Sequence, residues 1–372
     1  MTKIKFTHLM GDLPATVPFV GPETQERQRG TSFFARLGAN ENAFGTSPKV
    51  ITAIQTANFE IWKYGDPTSF DLRMALSKLL KIELENIVIG EGIDGLLGYL
   101  ARMLIEPGDN VVTSDGAYPT FNYHIVGYGG TLHKVPYRGD HEDLDGLLGK
   151  VEETGAKLVY LANPDNPMGT VHAADKVKDF IACLPKTCLL ALDEAYIEFA
   201  PGHIAPDTSS LFENVIRLRT FSKGYGMAGA RVGYAFGPSN LVAQFEKVRN
   251  HFGMNRAAQI GSIAALDDSD WLLTLREKVA RARAQIEKIA ADNGLATVSS
   301  AANFVAIDCG QGSTFAKAVL AELLANGIFV RMPFVAPQNR CIRVTTGTDA
   351  DLDFLAELFP KALESAGSNR KG

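Results

Sequence analysis

A chain of 372 residues, 46% hydrophobic and 21% charged, can fill a sizeable core and has room for two lobes. Its net charge of −5 and sequence pI near 5.9 provide no basic field, so neither nucleic acid nor a membrane is expected as a partner. Four cysteines without a CxxC pair, seven histidines without HxxxH spacing, and a start (MTKIKFTHLM) that lacks a signal-peptide core predict a cytoplasmic enzyme with no disulfide framework and no metal.

Residues 1–45, rich in Pro, Gly and charge with little periodicity, read as an extended N-terminal arm. From residue 46 short apolar or β-branched runs predict strands: NIVIG (86–90), NVVTS (110–114), KLVYLA (157–162), LLALDE (189–194), VIRLRT (215–220) and VGYAFG (232–237). Between them lie helical stretches such as DGLLGYLARML (94–104) and AADKVKDFIACL (173–184). This alternation predicts an α/β domain over 46–265, its mainly parallel sheet covered on both faces. DDSDWLLTLREKVARARAQIEKIAADNG (267–294) predicts one long amphipathic helix joining the lobes, with Asp/Ser at its start and Gly294 at its end. NFVAID, a helix around 313–325, GIFVRM, CIRVTTG and a final helix from about 350 then make 266–372 a smaller α+β domain, completed by the arm.

Ligands of open α/β sheets bind beyond the carboxyl ends of strands. Those ends carry GEGIDG (90–95), DGAYPTF (115–121), NPDNPMG (163–169), DEAY (193–196) and RTFSKGYGMAGAR (219–231). GEGIDG matches the GxGxxG fingerprint, with Asp115 about twenty residues on, so an NAD(P)-dependent oxidoreductase competes. Such units usually open a domain, however, and that assignment leaves Lys223, Asn166 and Tyr196 without a role. The plainest alternatives are glycines as helix-start punctuation, NPDNPMG as a stiffened loop and LDEAY as a solvated strand end. Against these, Asp193 directly follows LLAL, which predicts a semi-buried carboxylate needing a cationic partner. Lys223 stands among glycines and hydroxyls, behind Ser222 and eight positions before Arg231, a setting suited to a phosphate. Pyridoxal phosphate needs this set: an amine for an imine, a carboxylate for the ring nitrogen, donors for its phenolate oxygen, an aromatic and a phosphate cup.

Together RTFSKGYGMAGARVGY (219–234), NPDNPMG, LDEAYIEF (192–199) and GANENAFGTSP (38–48) resemble the fold-type-I aminotransferases of classes I and II, in their histidinol-phosphate aminotransferase-like branch. The resemblance spans residue 37 to CIRVTTGT (341–348), with the motifs in family order. It implies that Lys223 holds pyridoxal 5'-phosphate as an imine and later shuttles a proton, and that Asp193 pairs with the ring nitrogen. It implies further that Asn166 and Tyr196 bond the phenolate oxygen and that Tyr118 stacks on the ring. The amides of Ile93 and Asp94, with Ser222 and Arg231, would hold the phosphate. Family members are homodimers, and Tyr64 in WKYGDP matches the tyrosine that reaches the neighbouring site. Arg343 matches the arginine for the substrate's anionic group, with Arg331, Asn40 and Phe19 on the same side. The implied reaction is ping-pong transamination, with histidinol phosphate and 2-oxoglutarate leading. An aromatic or other amino-acid transaminase is the near alternative, and a phosphothreonine decarboxylase-like activity the remote one. Three features depart from the pattern: Ile93-Asp94-Gly95 in the phosphate cup, Phe19 where a tyrosine is common, and RNHFGMNRAAQ (249–259) without Pro-Tyr-Asn.

Overall fold

In the computed structural model, which describes residues 4–13 and 20–368, twelve strands form: β1 (Ala35–Arg36), β2 (Ile87–Gly90), β3 (Asn110–Ser114), β4 (Thr131–Val135), β5 (Leu158–Ala162), β6 (Leu189–Asp193), β7 (Val215–Thr220), β8 (Gly233–Phe236), β9 (Ala296–Thr297), β10 (Phe304–Asp308), β11 (Ile328–Phe329) and β12 (Cys341–Thr345). The six expected strands thus form within one or two residues of their expected limits. The expectation lacked β4, whose residues TLHKV at the sheet edge bury only Val135. An edge strand packed on one side carries no continuous apolar run.

Strands β2 to β8 build a seven-stranded sheet in the order β2-β8-β7-β6-β5-β3-β4. β8 runs antiparallel to both its neighbours and the remaining pairs are parallel. Every residue of β5 is buried, because alternate side chains enter different cores. Leu158, Tyr160 and Ala162 pack with Leu96, Leu100 and Phe121, whereas Val159 and Leu161 pack with Leu147, Val177 and Phe180. That two-sided burial explains the unbroken apolar runs in the sequence.

The remainder of the sheet structure is an antiparallel set, β12-β10-β9, and a parallel pair, β1-β11. The arm is less extended than expected, with short helices at His8–Asp12 and Pro22–Arg29. Its β1 segment pairs with β11, and Ala35 and Leu37 enter the same core as Ile286, Val305, Val319 and Leu355. The long helix spans Ser269–Asp292 and ends before Gly294, whose φ of +70° suits glycine. The Asp268 carboxylate just before the helix accepts from Ser47 and, at 3.0 Å, from Lys49. Leu275 and Val279 in the first half of this helix meet Tyr196 and Phe199, while Ile286 and Ile289 in the second half enter the core holding β10 and β12. A helix split in this way belongs to both cores.

One irregularity opens the carboxyl edge of the large sheet. β3 and β5 pair only at Val111–Leu158 and Val112–Val159. Beyond that point the buried carboxylate of Glu142 bridges the strands, accepting from Ser114 Oγ at 2.5 Å and from the Ala162 amide at 2.9 Å. A cavity of about 430 Å³ lies at this edge.

Candidate active site

The cavity wall contains Asn40, Ile93, Asp94, Tyr118, Asn166, Asp193, Tyr196, Ser222, Lys223, Arg231, Arg331 and Arg343, so twelve of the fourteen sequence candidates converge on one place. Tyr64 is not among them: it is 80% exposed and packs on Phe252, with ring centroids 5.0 Å apart. Phe19 lies outside the described residues.

Lys223 follows β7 in a turn of small residues and reaches into the cavity. Its Nζ donates to the Asn40 carbonyl at 2.9 Å. Burial, then the positive charges of Arg343 and Arg231, pulls its amine down to about 8. A lysine in that range supplies a useful fraction of neutral, nucleophilic amine near neutral pH.

Asp193 ends β6, where the apolar run before it has carried the chain through the core. Its Oδ2 accepts from the Tyr160 hydroxyl at 2.7 Å and its Oδ1 from the Ala195 amide at 2.9 Å. Burial pushes the carboxyl up to about 6 against these two donors, with Asp94 and Glu194 adding to the rise. Glu194, the other acid of the motif, faces away and is clamped by Arg217 at 2.7 Å and Arg219 at 2.8 Å. It is a structural partner of β7.

Asn166 accepts through Oδ1 from Arg343 Nη1, which leaves its NH₂ as the group available to a ligand oxygen. Tyr196 accepts from the Asn40 amide at 2.9 Å, and burial holds its hydroxyl up at about 12. Asn40 sits at φ 54°, a left-handed position that Asn tolerates. Its side chain is committed to Tyr196 and to Thr345, whose hydroxyl donates to it at 3.1 Å. It therefore pins the arm to both lobes at the cavity wall.

The helix Gly92–Leu104 starts at the cavity without a side-chain cap, and Ile93 and Asp94 of its first turn line the wall. Gly92 has φ +77°, and a Cβ there would lie 2.5 Å from Arg231 Nη2. A Cβ on Gly233 would lie 2.7 Å from the Gly92 carbonyl carbon. Both glycines thus keep backbone and guanidinium close together. Arg231 itself is left-handed at φ 56°, a strained position for a side chain of its size. Its guanidinium donates to Ser222 Oγ at 3.3 Å and to Asp94 at 3.2 Å, and Asp94 also accepts from Tyr118 at 2.9 Å.

On the opposite wall Arg331 and Arg343 face each other through an antiparallel backbone bridge. Arg343 also donates to the Gly38 carbonyl at 3.3 Å and lies over the Phe304 ring; Arg331 donates to the Val20 carbonyl at 3.0 Å. Burial, opposed mainly by Tyr196 and reinforced by Arg331, lowers Arg343 to about 10.

The oxidoreductase alternative fails on topology. β2, the strand before GEGIDG, is an edge strand with an antiparallel neighbour, and the next strand in the chain, β3, lies five positions away in the sheet. A dinucleotide fingerprint requires adjacent parallel strands joined through that loop. Sequence reasoning missed Tyr160 and Glu142. A tyrosine within an aliphatic strand whose hydroxyl requires a partner was the available signal for the first. Glu142 had none, because its partners come from two other strands.

Fold and site together define a class of enzyme. The family model for aminotransferase class I and II matches residues 34–359, and the chain belongs to that family. A histidinol-phosphate aminotransferase from Sinorhizobium meliloti, solved in complex with pyridoxal-5'-phosphate, superposes with a TM-score of 0.95 at 51% identity, covering 98% of this chain and 99% of that one. Histidinol-phosphate aminotransferase 2 of Carboxydothermus hydrogenoformans is 34% identical over 91% of this chain and 93% of its own. An aspartate aminotransferase from Thermus thermophilus shares the fold at 19% identity, with a TM-score of 0.81 over 97% of this chain and all of the other.

Proposed function

We propose that this aminotransferase uses pyridoxal phosphate held covalently by Lys223 and transfers nitrogen from histidinol phosphate to 2-oxoglutarate in a ping-pong cycle. The residues present fit that cofactor. The glycine cradle at Gly92 and Gly233, the uncapped helix start, Ser222 and Arg231 suit a phosphate. Asp193 suits a ring nitrogen, the NH₂ of Asn166 and the hydroxyl of Tyr196 suit a phenolate oxygen, and Tyr118 lies where an aromatic could cover the ring. When bound, pyridoxal phosphate supplies an electron sink for the pair left as the α-proton departs. Lys223 Nζ would take that proton and return it, which its lowered pKa permits. Asp193 would keep the ring nitrogen protonated, and Arg343 and Arg331 would orient the substrate through its anionic group.

The observation that carries the substrate assignment is that Arg331 and Arg343, partners in one backbone bridge, both line the cavity. A doubly charged phosphate balances two arginines, whereas an α-carboxylate balances one. The names of the similar proteins support the same choice. The domain boundaries belong to this reading: 46–265 carries the cofactor, and 266–372 closes over it with the arm. Separate hydrophobic cores for the two parts support the division. A homodimer, with Tyr64 reaching the neighbouring site, also belongs to this reading, and the exposure of Phe59, Trp62 and Tyr64, each at least 78%, supports it. The free thiols of Cys188, Cys309 and Cys341 are buried and unpaired, which supports a cytoplasmic setting.

The test is a donor comparison on purified, cofactor-loaded protein. Rapid mixing should discharge the cofactor's visible band faster with histidinol phosphate than with phenylalanine, and Arg331→Ala should abolish that preference. Faster discharge by phenylalanine would assign the enzyme to aromatic amino acids. A colourless protein in which borohydride fixes nothing on Lys223 would remove the cofactor assignment itself.

A further inference from the structure

Asp193 is a buried acid with two donors, and only one of them is a side chain. The Ala195 amide meets Oδ1 from the residue two positions on, a bond set by the local turn. The other donor comes from a different strand. In the β5–β6 register Ala162 lies beside Asp193 and Tyr160 beside Ala191, so Tyr160 stands two residues back on the same sheet face. Two residues along a strand is roughly 6.6 Å, a gap that a phenol ring spans and shorter polar side chains do not. The Tyr160 hydroxyl closes it at 2.7 Å.

The ring of Tyr160 has little freedom to point elsewhere. It is fully buried and stacks on Phe121, with centroids 4.7 Å apart and planes 23° from parallel. Its own acidity is suppressed by burial and by the Asp193 charge, so the hydroxyl remains a donor. Around Asp193, Asp94 on the helix Gly92–Leu104, Glu194 on the loop after β6, and Glu142 between β3 and β5 are acids that favour a protonated carboxyl. The Tyr196 hydroxyl lies near as well. Tyr160 opposes these influences from β5.

We infer that Tyr160 is a positioning residue that holds the Asp193 carboxylate ionised and aimed into the cavity, and thereby sets the protonation of the cofactor's ring nitrogen. This rests on the proposed cofactor chemistry for its second half only. The first half concerns Asp193 in the apo-protein. A hydrogen bond to a charged group is worth on the order of a ten-fold change in proton affinity, or about one pK unit. Without it the shared proton moves from the ring nitrogen towards Asp193.

Two measurements on Tyr160→Phe, which keeps the ring and its stacking, test the inference. In apo-protein carrying ¹³C-labelled aspartate carboxyls, the Asp193 midpoint should rise by about one unit relative to wild type. In protein loaded with ring-¹⁵N pyridoxal phosphate, the nitrogen signal should move towards the unprotonated position, as it should more fully in Asp193→Asn. An unchanged Asp193 midpoint overturns the inference, and so does a raised midpoint with an unchanged nitrogen signal. Failure of the wild type to bind the cofactor would instead overturn the cofactor assignment, and the apo titration would still decide the role of Tyr160. Should Tyr160→Phe not fold, site-specific incorporation of 3-fluorotyrosine at position 160 keeps the packing and strengthens the donor. The apo midpoint must then fall, and a midpoint that stays or rises refutes the inference.

Discussion

Replacing Glu142 isolates the side chain that bridges β3 and β5 at the site. In Glu142→Ala the Ser114 hydroxyl and the Ala162 amide both lose their partner in a buried setting. Each unsatisfied buried group costs about 1–2 kcal/mol, so the apo-protein should lose roughly 2–4 kcal/mol. At about 2 °C per kcal/mol for a chain of this size, the thermal midpoint should fall by roughly 4–8 °C. Glu142→Gln should lose far less, since its amide oxygen can accept from Ala162 and its NH₂ can donate to Ser114 Oγ. The two variants should also differ in their pH dependence. Burial, then the charge of Asp165, raises the Glu142 carboxyl well above the usual 4.5. A carboxyl raised on folding contributes stability that is fully present below 4.5 and lost as pH rises through its folded-state value. Glutamine cannot titrate, so Glu142→Gln should gain on the wild type as pH increases from roughly 5 to 9. The assay is thermal unfolding of cofactor-free protein followed by tryptophan fluorescence across that range. Equal losses in the alanine and glutamine variants, or a wild-type-to-glutamine difference that ignores pH, would refute the reasoning.

The site yields further expectations. Capture of pyridoxal phosphate by apo-protein should accelerate with pH up to about 8, where Lys223 loses its proton, and level off above it; stopped-flow absorbance would detect a flat profile that contradicts this. Gly92→Ala places a Cβ 2.5 Å from Arg231 and strains a φ of +77°, so equilibrium titration should give cofactor affinity at least ten-fold weaker with the fold retained. Asp193→Ala should still acquire the visible band yet lose on the order of 10²–10³ in turnover, and near-normal steady-state rates would exclude Asp193 from the chemistry.

Local sequence settled the identity of the strand-end groups. Lys223, Asp193 and Asn166 were legible because an apolar run predicts where a strand stops, and ligands of such sheets bind at the carboxyl ends of strands; Arg231 was legible from the small residues around it in the segment after β7. The glycines were equally legible, although their meaning was not. GEGIDG reads the same before an edge strand's helix as in a dinucleotide fold, and only the sheet order separated the two. The helices within the arm and β4 were missed because neither carries an apolar stripe long enough to stand out against its polar residues. Partnerships across the chain belonged to the tertiary structure alone. Asn40 meets Tyr196 across 156 residues, Arg343 meets Asn166 across 177, and Tyr160 meets Asp193 across 33 on a neighbouring strand. A side chain's chemistry is written at its own position. Its proton affinity and orientation are set by neighbours that only strand register and the closing of one core against another bring within reach.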